Sequence, residues 1–307
     1  MDLDTVGVLA RFWGGEGNAG NPAAACTADD LDALRRFDRL VSVLGIEATL
    51  FVTGRSLDAR PFAELVGNMS ARGHEIANHT WDHPDDLTAL SARAMAEQID
   101  SCSAAIERVT GIAPCGFRAP CYRADEVVLT LLEQRGYAYD ASVLPSPVVP
   151  LMKGYRGLLG PGHGRAPGPG VVRQMAAPRS LYRPSRSDLS REDDRRAFVE
   201  VPVTVATVGR VPLTSTVLGI LPFGIARALV KRRARTGVPM TFVLHLVDLV
   251  DGRLLPTHVA RLHPAAVRPL EVKLRWCREM LDVLLSHCRM TTTRRLVAET
   301  DPGPTAG

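Results

Sequence analysis

The sequence predicts an α/β fold in which parallel strands are covered by helices, as a barrel or as an open sheet. Short apolar segments alternate with amphipathic segments along most of the 307 residues. This β–α order favours parallel strands, because each helix returns the chain to the edge of the sheet from which the next strand starts. The length is sufficient for one large domain with its own core. We therefore assign residues 1–298 to a single domain.

Each predicted element has a local signal. The first helix follows Thr27, whose hydroxyl is of a type that caps helices, and ends at Gly45, which tolerates the left-handed conformation of a C-terminal cap. Short apolar runs bounded by turn residues predict buried strands. The predicted helices are 28–44, 61–72, 91–109, 125–135 and 270–288, and the predicted strands are 48–52, 74–78, 115–118, 137–143, 198–205, 241–246 and 290–293.

Two stretches interrupt this alternation. Residues 144–197 are rich in Pro, Gly and Arg and lack periodicity, which predicts a long insertion that is either a functional loop or partly mobile. Residues 299–307 are rich in Pro and Gly, and we expect them to form a disordered tail.

The segment 211–230 is nearly all apolar, and Lys231, Arg232 and Arg233 follow it directly. The favoured interpretation is a buried helix with its loop. The alternative is an interfacial segment, 211–233, whose basic end meets anionic lipid. That alternative predicts a peripheral contact with a membrane.

Composition narrows the class of protein. The net charge is only +4, the basic residues are scattered and aromatic residues make up 5% of the chain, so we expect no nucleic-acid surface. The six cysteines lack Cys-x-x-Cys spacing, which favours reduced thiols. We find neither a signal-peptide pattern nor an uncharged apolar run of membrane-spanning length. These features predict a cytoplasmic protein and leave its oligomeric state open.

The first motif with chemical potential is Asn78-His79-Thr80-Trp81-Asp82-His83. Two histidines four residues apart, directly after a predicted strand, can turn their imidazoles to one side of a helical turn. Such a pair suits a divalent metal that prefers nitrogen ligands. The alternative interpretation is two unrelated surface histidines.

Asp2 and Asp4 form the second motif. Alternate residues of a strand point the same way, and two acids on one face of an apolar strand are costly without a partner such as a cation. One of them could complete a metal site with the two histidines, and the other could accept a proton from water. A polar, frayed N-terminus is the alternative.

The third motif begins at Arg118 and ends at Tyr122. An arginine at a strand end can orient a carboxylate by a bidentate contact. Tyr122 could form part of a sugar-binding wall or supply its backbone N–H to an oxyanion. The alternative is a simple turn after an edge strand.

The fourth motif is His245, near the end of a predicted apolar strand. A lone histidine in such a strand is more often a core residue than a catalyst. Its position at the strand end, and Asp140 as a candidate partner, favour a catalytic role.

Taken in chain order, these motifs resemble the polysaccharide deacetylase family, also called the NodB-homology or carbohydrate esterase 4 family. The resemblance runs from Asp2 to about Val297 and rests on the ordered set of an acid pair, His-Thr-x-x-His, Arg-x-Pro-x-Tyr and a strand-end histidine. The Asp-x-Asp form resembles the cytoplasmic-type branch of the family. Tyr139-Asp140-Ala141-Ser142 resembles the family's Asp-x-Ser motif.

The resemblance implies a distorted (β/α)7 barrel that removes an N-acetyl group from an amino sugar. The substrate would be a glycan, a lipid-linked sugar or a small glycoside, and the products acetate and a free amine. The cofactor would be one divalent metal, usually Zn²⁺, with Co²⁺ and Ni²⁺ also compatible. The implied residues are Asp4, His79 and His83 as metal ligands, Asp2 as general base oriented by Arg118, His245 as general acid tuned by Asp140, and Tyr122 and Trp81 at the substrate.

Two alternatives remain open at this point. One is an amide hydrolase of the same fold that acts on a non-sugar such as a cyclic amide. The other is a catalytically inactive member that binds a glycan or a partner protein.

Overall fold

The computed structural model describes residues 1–8, 26–148, 169–193, 196–255 and 267–300. The main α-helices are α1 (Ala28–Leu44), α2 (Arg60–Ala71), α3 (Ala92–Thr110), α4 (Glu126–Gln134), α5 (Pro169–Gln174), α6 (Ser215–Leu218), α7 (Phe223–Ala234), α8 (Leu270–Leu285) and α9 (Thr293–Thr300). The strands are β1 (Thr49–Val52), β2 (Glu75–Asn78), β3 (Gly116–Phe117), β4 (Tyr139–Asp140) and β5 (Val199–Glu200).

The five strands form one parallel sheet in the order β1-β2-β3-β4-β5. β1 pairs with β2 from Thr49 and Glu75 to Val52 and Asn78. β3, β4 and β5 continue the sheet with two-residue or shorter registers. The predicted α/β fold with parallel strands is confirmed. The carboxyl ends of the strands lie at one edge, so the loops that follow β2, β3 and β4 are neighbours there.

The N-terminal segment extends the sheet beyond β1. Leu3 donates its N–H to the carbonyl of Phe51 at 2.9 Å, and Asp2 donates its N–H to the carbonyl of Leu244 at 2.9 Å. Asp2 therefore lies between β1 and the segment that carries His245, parallel to both.

Further hydrogen bonds lead back to β5. Val243 lies parallel to Thr214, and Leu213 donates its N–H to the carbonyl of Thr204, just beyond β5, at 2.8 Å. The described segments are thus linked into a closed and irregular ring. This arrangement agrees with the distorted barrel expected from the sequence.

α1 holds the N-terminal segment in place. The Thr27 hydroxyl accepts the N–H of Asp30, and the Asp30 carboxylate accepts the N–H of Thr27 at 2.8 Å, which is the reciprocal cap expected at a helix start. Asp30 is fully buried and also accepts the N–H of Val6 at 2.8 Å. The helix start is therefore tied directly to the segment that carries Asp2 and Asp4.

Two predicted strands near the C-terminus differ from the structure. Residues 241–246 form isolated bridges rather than a regular strand. The predicted strand 290–293 is wrong, because α9 begins at Thr293. The N–H of Thr293 donates to the Thr49 hydroxyl at 2.7 Å and that of Arg294 to the Glu75 carboxylate at 2.9 Å. A carboxylate at a helix N-terminus stabilises the helix, which explains the difference.

The segment 211–230 contains α6 and most of α7. Leu218, Ala226 and Val230 are buried, as the favoured interpretation predicts, whereas Ile220 and Ile225 are 42% and 52% exposed. In the described part of the chain, no helix is both long enough and apolar enough to cross a membrane.

The insertion and the tail are only partly described. Of residues 144–197, positions 149–168 and 194–195 lie outside the described residues. The rest contains α5 and a bridge that pairs Tyr182 with Glu200 of β5. α9 extends to Thr300, and the predicted tail from 301 onward lies outside the described residues.

Candidate active site

The loop after β2 brings the two histidines together. Asn78 Oδ1 accepts the N–H of Thr80 at 2.8 Å, and the Thr80 hydroxyl accepts the N–H of His83 at 3.1 Å. The ring centroids of His79 and His83 lie 5.1 Å apart. The predicted helical turn is wrong: Thr80 and His83 have left-handed φ angles of 67° and 53°. The side chains of Asn78 and Thr80 take up the backbone donors that would otherwise start a helix.

Asp4 reaches the same point from the N-terminal segment. Its Oδ1 lies 3.3 Å from Nε2 of His79 and 3.5 Å from Nε2 of His83. All three side chains are buried, and one ligand atom from each lies within 4.8 Å of the other two. Burial alone would raise the pKa of the Asp4 carboxyl, but the two histidines outweigh it and hold that pKa below its usual range.

The main-chain carbonyl of Arg118, the residue that follows β3, orients the ring of His79. Its Nδ1 lies 2.7 Å from the carbonyl oxygen of Arg118. A carbonyl oxygen can only accept, so Nδ1 carries a proton, and Nε2 is the nitrogen that faces Asp4. Metal-binding histidines are commonly held by such a bond to the second ring nitrogen.

These three residues fit a divalent cation. Asp4 Oδ1 is buried and, within the described residues, accepts no hydrogen bond of good geometry. A buried carboxylate oxygen in this state is unfavourable unless a cation lies nearby. One carboxylate oxygen and two imidazole nitrogens form a ligand set that suits Zn²⁺ and also Co²⁺ or Ni²⁺. Over the described ranges, this is the one group of three such residues close enough to hold an ion.

A second carboxylate, Asp2, lies beside this group and is paired with Arg118. Arg118 also donates from Nε to the carbonyl of Ala141 at 3.0 Å, and its guanidinium carbon lies 4.0 Å from the ring centroid of Phe51. Burial alone would raise the pKa of Asp2, but the Arg118 guanidinium and nearby histidines outweigh it and lower that pKa. The sequence-predicted pairing of Asp2 and Arg118 is present in the structure.

His245 lies on the other side of Asp2. Its Nε2 is 3.7 Å from Oδ2 of Asp2, and its Nδ1 is 3.3 Å from the hydroxyls of both Ser215 and Thr216. Its backbone N–H donates to the Asp248 carboxylate at 2.8 Å. His245 therefore borders the candidate site, and hydroxyl groups on α6 hold its outer nitrogen.

Asp140 does not contact His245, contrary to the sequence-based expectation. Its Oδ1 accepts a hydrogen bond from the Ser142 hydroxyl at 2.5 Å, and its register partner in the sheet is Glu200. The reason is topological: Asp140 lies on β4 and pairs with β5, whereas His245 lies next to the N-terminal segment.

Tyr122 differs from the expectation in one respect. Its backbone N–H donates to the carbonyl of Ala119 at 3.1 Å and is therefore engaged within its own turn rather than free for an oxyanion. Its hydroxyl oxygen is buried and has no hydrogen-bond partner among the described residues. Burial and the Asp2 carboxylate raise the pKa of this phenol, so it stays protonated. The side chain, rather than the backbone, is the group available to a ligand.

Trp81 packs against the protein. Its ring contacts the core, and a Cβ added to Gly54 would lie 2.4 Å from Trp81 Cε3. The Arg55 guanidinium lies 5.6 Å from the ring centroid. These contacts indicate that Trp81 supports the loop between β1 and β2, and its predicted place at the substrate stays a prediction.

Three residues near the site were not singled out from the sequence. Ser215 and Thr216 contact His245, and Glu200 is the register partner of Asp140. A Ser-Thr pair before an apolar segment is a common helix start, so this pattern does not by itself predict contact with a catalytic residue. Glu200 lies in a predicted buried strand, and its presence there predicts a nearby polar partner, because a buried acid without one is unfavourable.

Comparison with known proteins supports the resemblance. Residues 16–139 match the sequence model of the polysaccharide deacetylase family. The matched segment contains His79, His83, Arg118 and Tyr122. Over these residues the chain is similar to the polysaccharide deacetylase family. Asp2 and Asp4 precede the matched segment, so the resemblance of this protein to the branch with an Asp-x-Asp motif stays a prediction.

Its homologues include peptidoglycan and chitin deacetylases. The chain is 34% identical over 110 residues to a peptidoglycan deacetylase-like protein of Gibberella zeae, which covers 35% of this chain and 32% of that protein. It is 31% identical over 99 residues to a chitin deacetylase of a Pestalotiopsis species, which covers 32% of this chain and 33% of that protein. The alignments thus span about a third of each relative.

Similarity of fold extends over nearly the whole chain. A crystal structure from Mycobacterium smegmatis, provisionally described as a polysaccharide deacetylase, superposes with a TM-score of 0.58. The superposition covers 97% of this chain and 87% of that one, at 16% sequence identity. At this identity the comparison supports the fold alone.

Proposed function

We propose that this protein is a metal-dependent hydrolase that removes the N-acetyl group from an amino sugar. The observation that carries the proposal is the convergence of Asp4, His79 and His83 beside a separate, arginine-paired carboxylate, Asp2. The first group suits a cation and the second suits a base. Hydrolysis of an unreactive amide needs both functions in one place.

Asp4, His79 and His83 would hold the metal, most simply Zn²⁺, with Co²⁺ and Ni²⁺ as compatible alternatives. The cation supplies Lewis acidity to the acetyl carbonyl and makes water easier to deprotonate. The bond from His79 Nδ1 to the Arg118 carbonyl keeps the ligating nitrogen in place.

Asp2 is the general base in this proposal. Arg118 fixes its carboxylate, and main-chain hydrogen bonds to the segment 244–246 fix its backbone. A carboxylate held in this way can remove a proton from water while the water oxygen bonds to the acetyl carbon. Arg118 thus serves as the residue that positions the base.

His245 is the general acid. Its Nε2 lies 3.7 Å from Oδ2 of Asp2, whereas Arg118 is paired with Oδ1 of the same carboxylate. When the C–N bond breaks, the nitrogen receives a proton from Nε2 and leaves as a neutral amine, and the acyl carbon leaves as acetate. Positioned acid–base groups of this kind contribute about 10²- to 10⁴-fold to the rate.

The names of the two relatives indicate peptidoglycan and chitin as the first substrates to examine. The proposed substrate class is an N-acetylated amino sugar within a glycan, on a lipid carrier or in a small glycoside. The products would be acetate and a free amino sugar.

The test measures bound metal and acetate release with the purified chain. We expect zinc in the wild type and acetate release from N-acetylated chitin or peptidoglycan fragments, and loss of both in Asp4→Ala and His79→Ala. Asp2→Asn should retain zinc and lose turnover by about 10²-fold or more. His74→Gln is a matched control: this buried histidine accepts the N–H of Ala48 at 3.2 Å, at the opposite end of β2.

Near-normal turnover in Asp2→Asn would contradict the assignment of the base. Zinc binding without acetate release, together with hydrolysis of a cyclic amide, would favour the non-sugar amide hydrolase. If the purified protein holds no zinc and releases no acetate after zinc is added, the proposal is contradicted and a glycan- or partner-binding role is favoured.

We also propose a peripheral membrane contact through residues 211–233 of this protein, whose cytoplasmic location stays a prediction. Exposed Ile220 and Ile225 follow α6, the helix that contacts His245, and Lys231 and Arg232 follow on α7. Apolar residues beside basic ones suit an anionic lipid surface. Arg233 is excluded from the test variant, because it is buried and binds the carbonyls of 238 and 239.

Flotation with anionic phosphatidylglycerol vesicles tests this contact. Wild type should float with the vesicles, and the Lys231→Glu/Arg232→Glu variant should remain at the bottom of the gradient. If both proteins remain unbound, the membrane contact is contradicted.

A further inference from the structure

A second pair of buried acids lies behind Arg118. Asp140 of β4 and Glu200 of β5 are register partners in the parallel sheet, and both are 0% exposed. Each of the two carboxyl groups influences the pKa of the other. One oxygen of each group, Asp140 Oδ2 and Glu200 Oε2, is buried and has no hydrogen-bond partner with a fixed hydrogen among the described residues, so only a proton shared between the two acids can satisfy both. A hydrogen bond between two carboxyl groups requires a proton on one of them.

The surroundings decide which acid carries the proton. Asp140 accepts a hydrogen bond from the Ser142 hydroxyl at 2.5 Å, and this bond and the nearby backbone N–H groups of Ala141 and Ser142 favour its ionised form. Glu200 accepts one N–H, that of Val143 at 2.9 Å, and faces the charge of Asp140. Burial, followed by that charge, raises the pKa of Glu200 well above its usual value.

We propose that Glu200 is protonated in the folded protein and donates this hydrogen bond to Asp140, and that the shared proton positions the end of β4 that holds Arg118. The part of this inference that concerns turnover rests on the proposed deacetylase function. The part that concerns protonation does not.

The residues directly after Asp140 connect the pair to the site. The Ala141 carbonyl accepts a hydrogen bond from Nε of Arg118 at 3.0 Å, and the Ser142 hydroxyl accepts the N–H of Ala119 at 2.7 Å. Ser142 also donates to Asp140. The Arg118 side chain and the main chain of Ala119 are therefore both hydrogen-bonded to the two residues that follow Asp140.

The charge of the pair matters as well as its shape. Among the described residues, the Arg118 guanidinium lowers the pKa of Glu200, and the two acids raise the pKa of the Tyr182 phenol. If Glu200 were ionised, its charge would attract Arg118 away from Asp2. A neutral Glu200 leaves the guanidinium paired with Asp2, which makes Glu200 a positioning residue for the base.

Glu200→Gln removes the acidic proton and keeps the size and the hydrogen-bonding capacity of the side chain. Glutamine can still donate to Asp140 and accept from Val143, so we expect turnover and thermal stability close to wild type. Infrared spectroscopy at neutral pH should show a protonated-carboxyl band in the wild type that is lost in Glu200→Gln. Glu200→Leu leaves Asp140 and the Val143 N–H unpaired, and should lower kcat by about 10- to 100-fold with little change in KM.

Glu75→Gln is the matched control. Glu75 is a buried glutamate at the start of β2 that accepts hydrogen bonds from the hydroxyls of Thr49 and Tyr139 rather than binding a carboxyl group. This variant should keep the infrared band assigned to Glu200.

An unchanged band in Glu200→Gln would overturn the protonation of Glu200, whatever the activity. A loss of kcat in Glu200→Gln as large as in Glu200→Leu would overturn the positioning role. If the wild type releases no acetate from any substrate, the proposed function fails, but the infrared comparison still decides the state of Glu200. If Glu200→Leu does not fold, the turnover of Glu200→Gln and the infrared band still test the protonation and the positioning role of Glu200.

Discussion

Nδ1 of His79 lies 2.7 Å from the main-chain oxygen of Arg118, while the side chain of Arg118 is paired with Asp2. One residue at the end of β3 thus orients both a candidate metal ligand and the candidate base. The two contacts use different parts of Arg118. A substitution of its side chain can therefore separate the two roles.

Arg118→Lys should lower turnover by about 10- to 100-fold and leave the zinc content close to wild type. Lysine keeps the charge but lacks the planar group that contacts Ala141 and Asp2 together, whereas the carbonyl that holds His79 is retained. Turnover and metal content are measured on the same preparation. Arg123→Lys, at an ion pair with Asp86, is the control. Loss of zinc in Arg118→Lys would show that the two roles are not separable.

Tyr122→Phe should raise the melting temperature of the metal-free protein. The Tyr122 hydroxyl is buried without a hydrogen-bond partner among the described residues, and such a group costs about 1–3 kcal/mol. Tyr139→Phe is the opposite control, because the Tyr139 hydroxyl donates to Glu75 at 2.8 Å, and its removal should lower the melting temperature. Shifts of the same sign in both variants would contradict this interpretation.

Gly54→Ala should lower the free energy of unfolding by about 1–3 kcal/mol, as overpacked cores do. A Cβ at this position would lie 2.4 Å from Trp81 Cε3 and 2.9 Å from the Cα of Cys102. Gly224→Ala, on α7, has no atom within 4 Å of the added Cβ and should leave stability unchanged or raise it by up to about 1 kcal/mol. Urea unfolding of the two variants measures the difference. Equal stability of both variants would argue against the close packing at Gly54.

The free energy of unfolding of the wild type, minus that of Lys273→Met, should rise between pH 8 and pH 10. Lys273 is buried and donates to the Val247 carbonyl at 2.8 Å, and burial lowers its pKa from 10.5 to about 8. The folded state therefore loses this proton before the unfolded state does, so stability increases as the pH rises through that window. The full effect is at most roughly 3 kcal/mol, since one pKa unit is about 1.4 kcal/mol.

Urea unfolding of both proteins at pH 6, 7, 9 and 10 checks the sign. Between pH 6 and pH 7 the difference should be flat, because Lys273 is protonated in both states there. A difference that falls as the pH rises would contradict the lowered pKa.

The order of motifs was sufficient to predict which residues meet, because the ends of neighbouring parallel strands lie at one edge. Asp4, His79 and His83 converge for that reason. The conformation of the loop was not predictable from spacing, since the side chains of Asn78 and Thr80 determine it.

Contacts between distant parts of the chain account for the remaining differences. The β-branched run at 290–293 favours a strand locally, but Glu75, far away in the sequence, binds the start of α9 instead. Asp140 was expected to pair with His245, yet its neighbour across the sheet is Glu200. Neither partner can be identified from local pattern alone, because the pairing depends on the three-dimensional arrangement of the sheet.

Four non-glycine residues in the two loops around the site, Thr80, His83, Cys121 and Tyr122, have left-handed backbone angles. Each such conformation costs of order 1–3 kcal/mol, which the surrounding contacts offset when the chain folds. Little backbone entropy then remains to be lost when a ligand binds. Binding an ion at Asp4, His79 and His83 should therefore be limited by how fast the ion sheds its own water, rather than by closure of these loops.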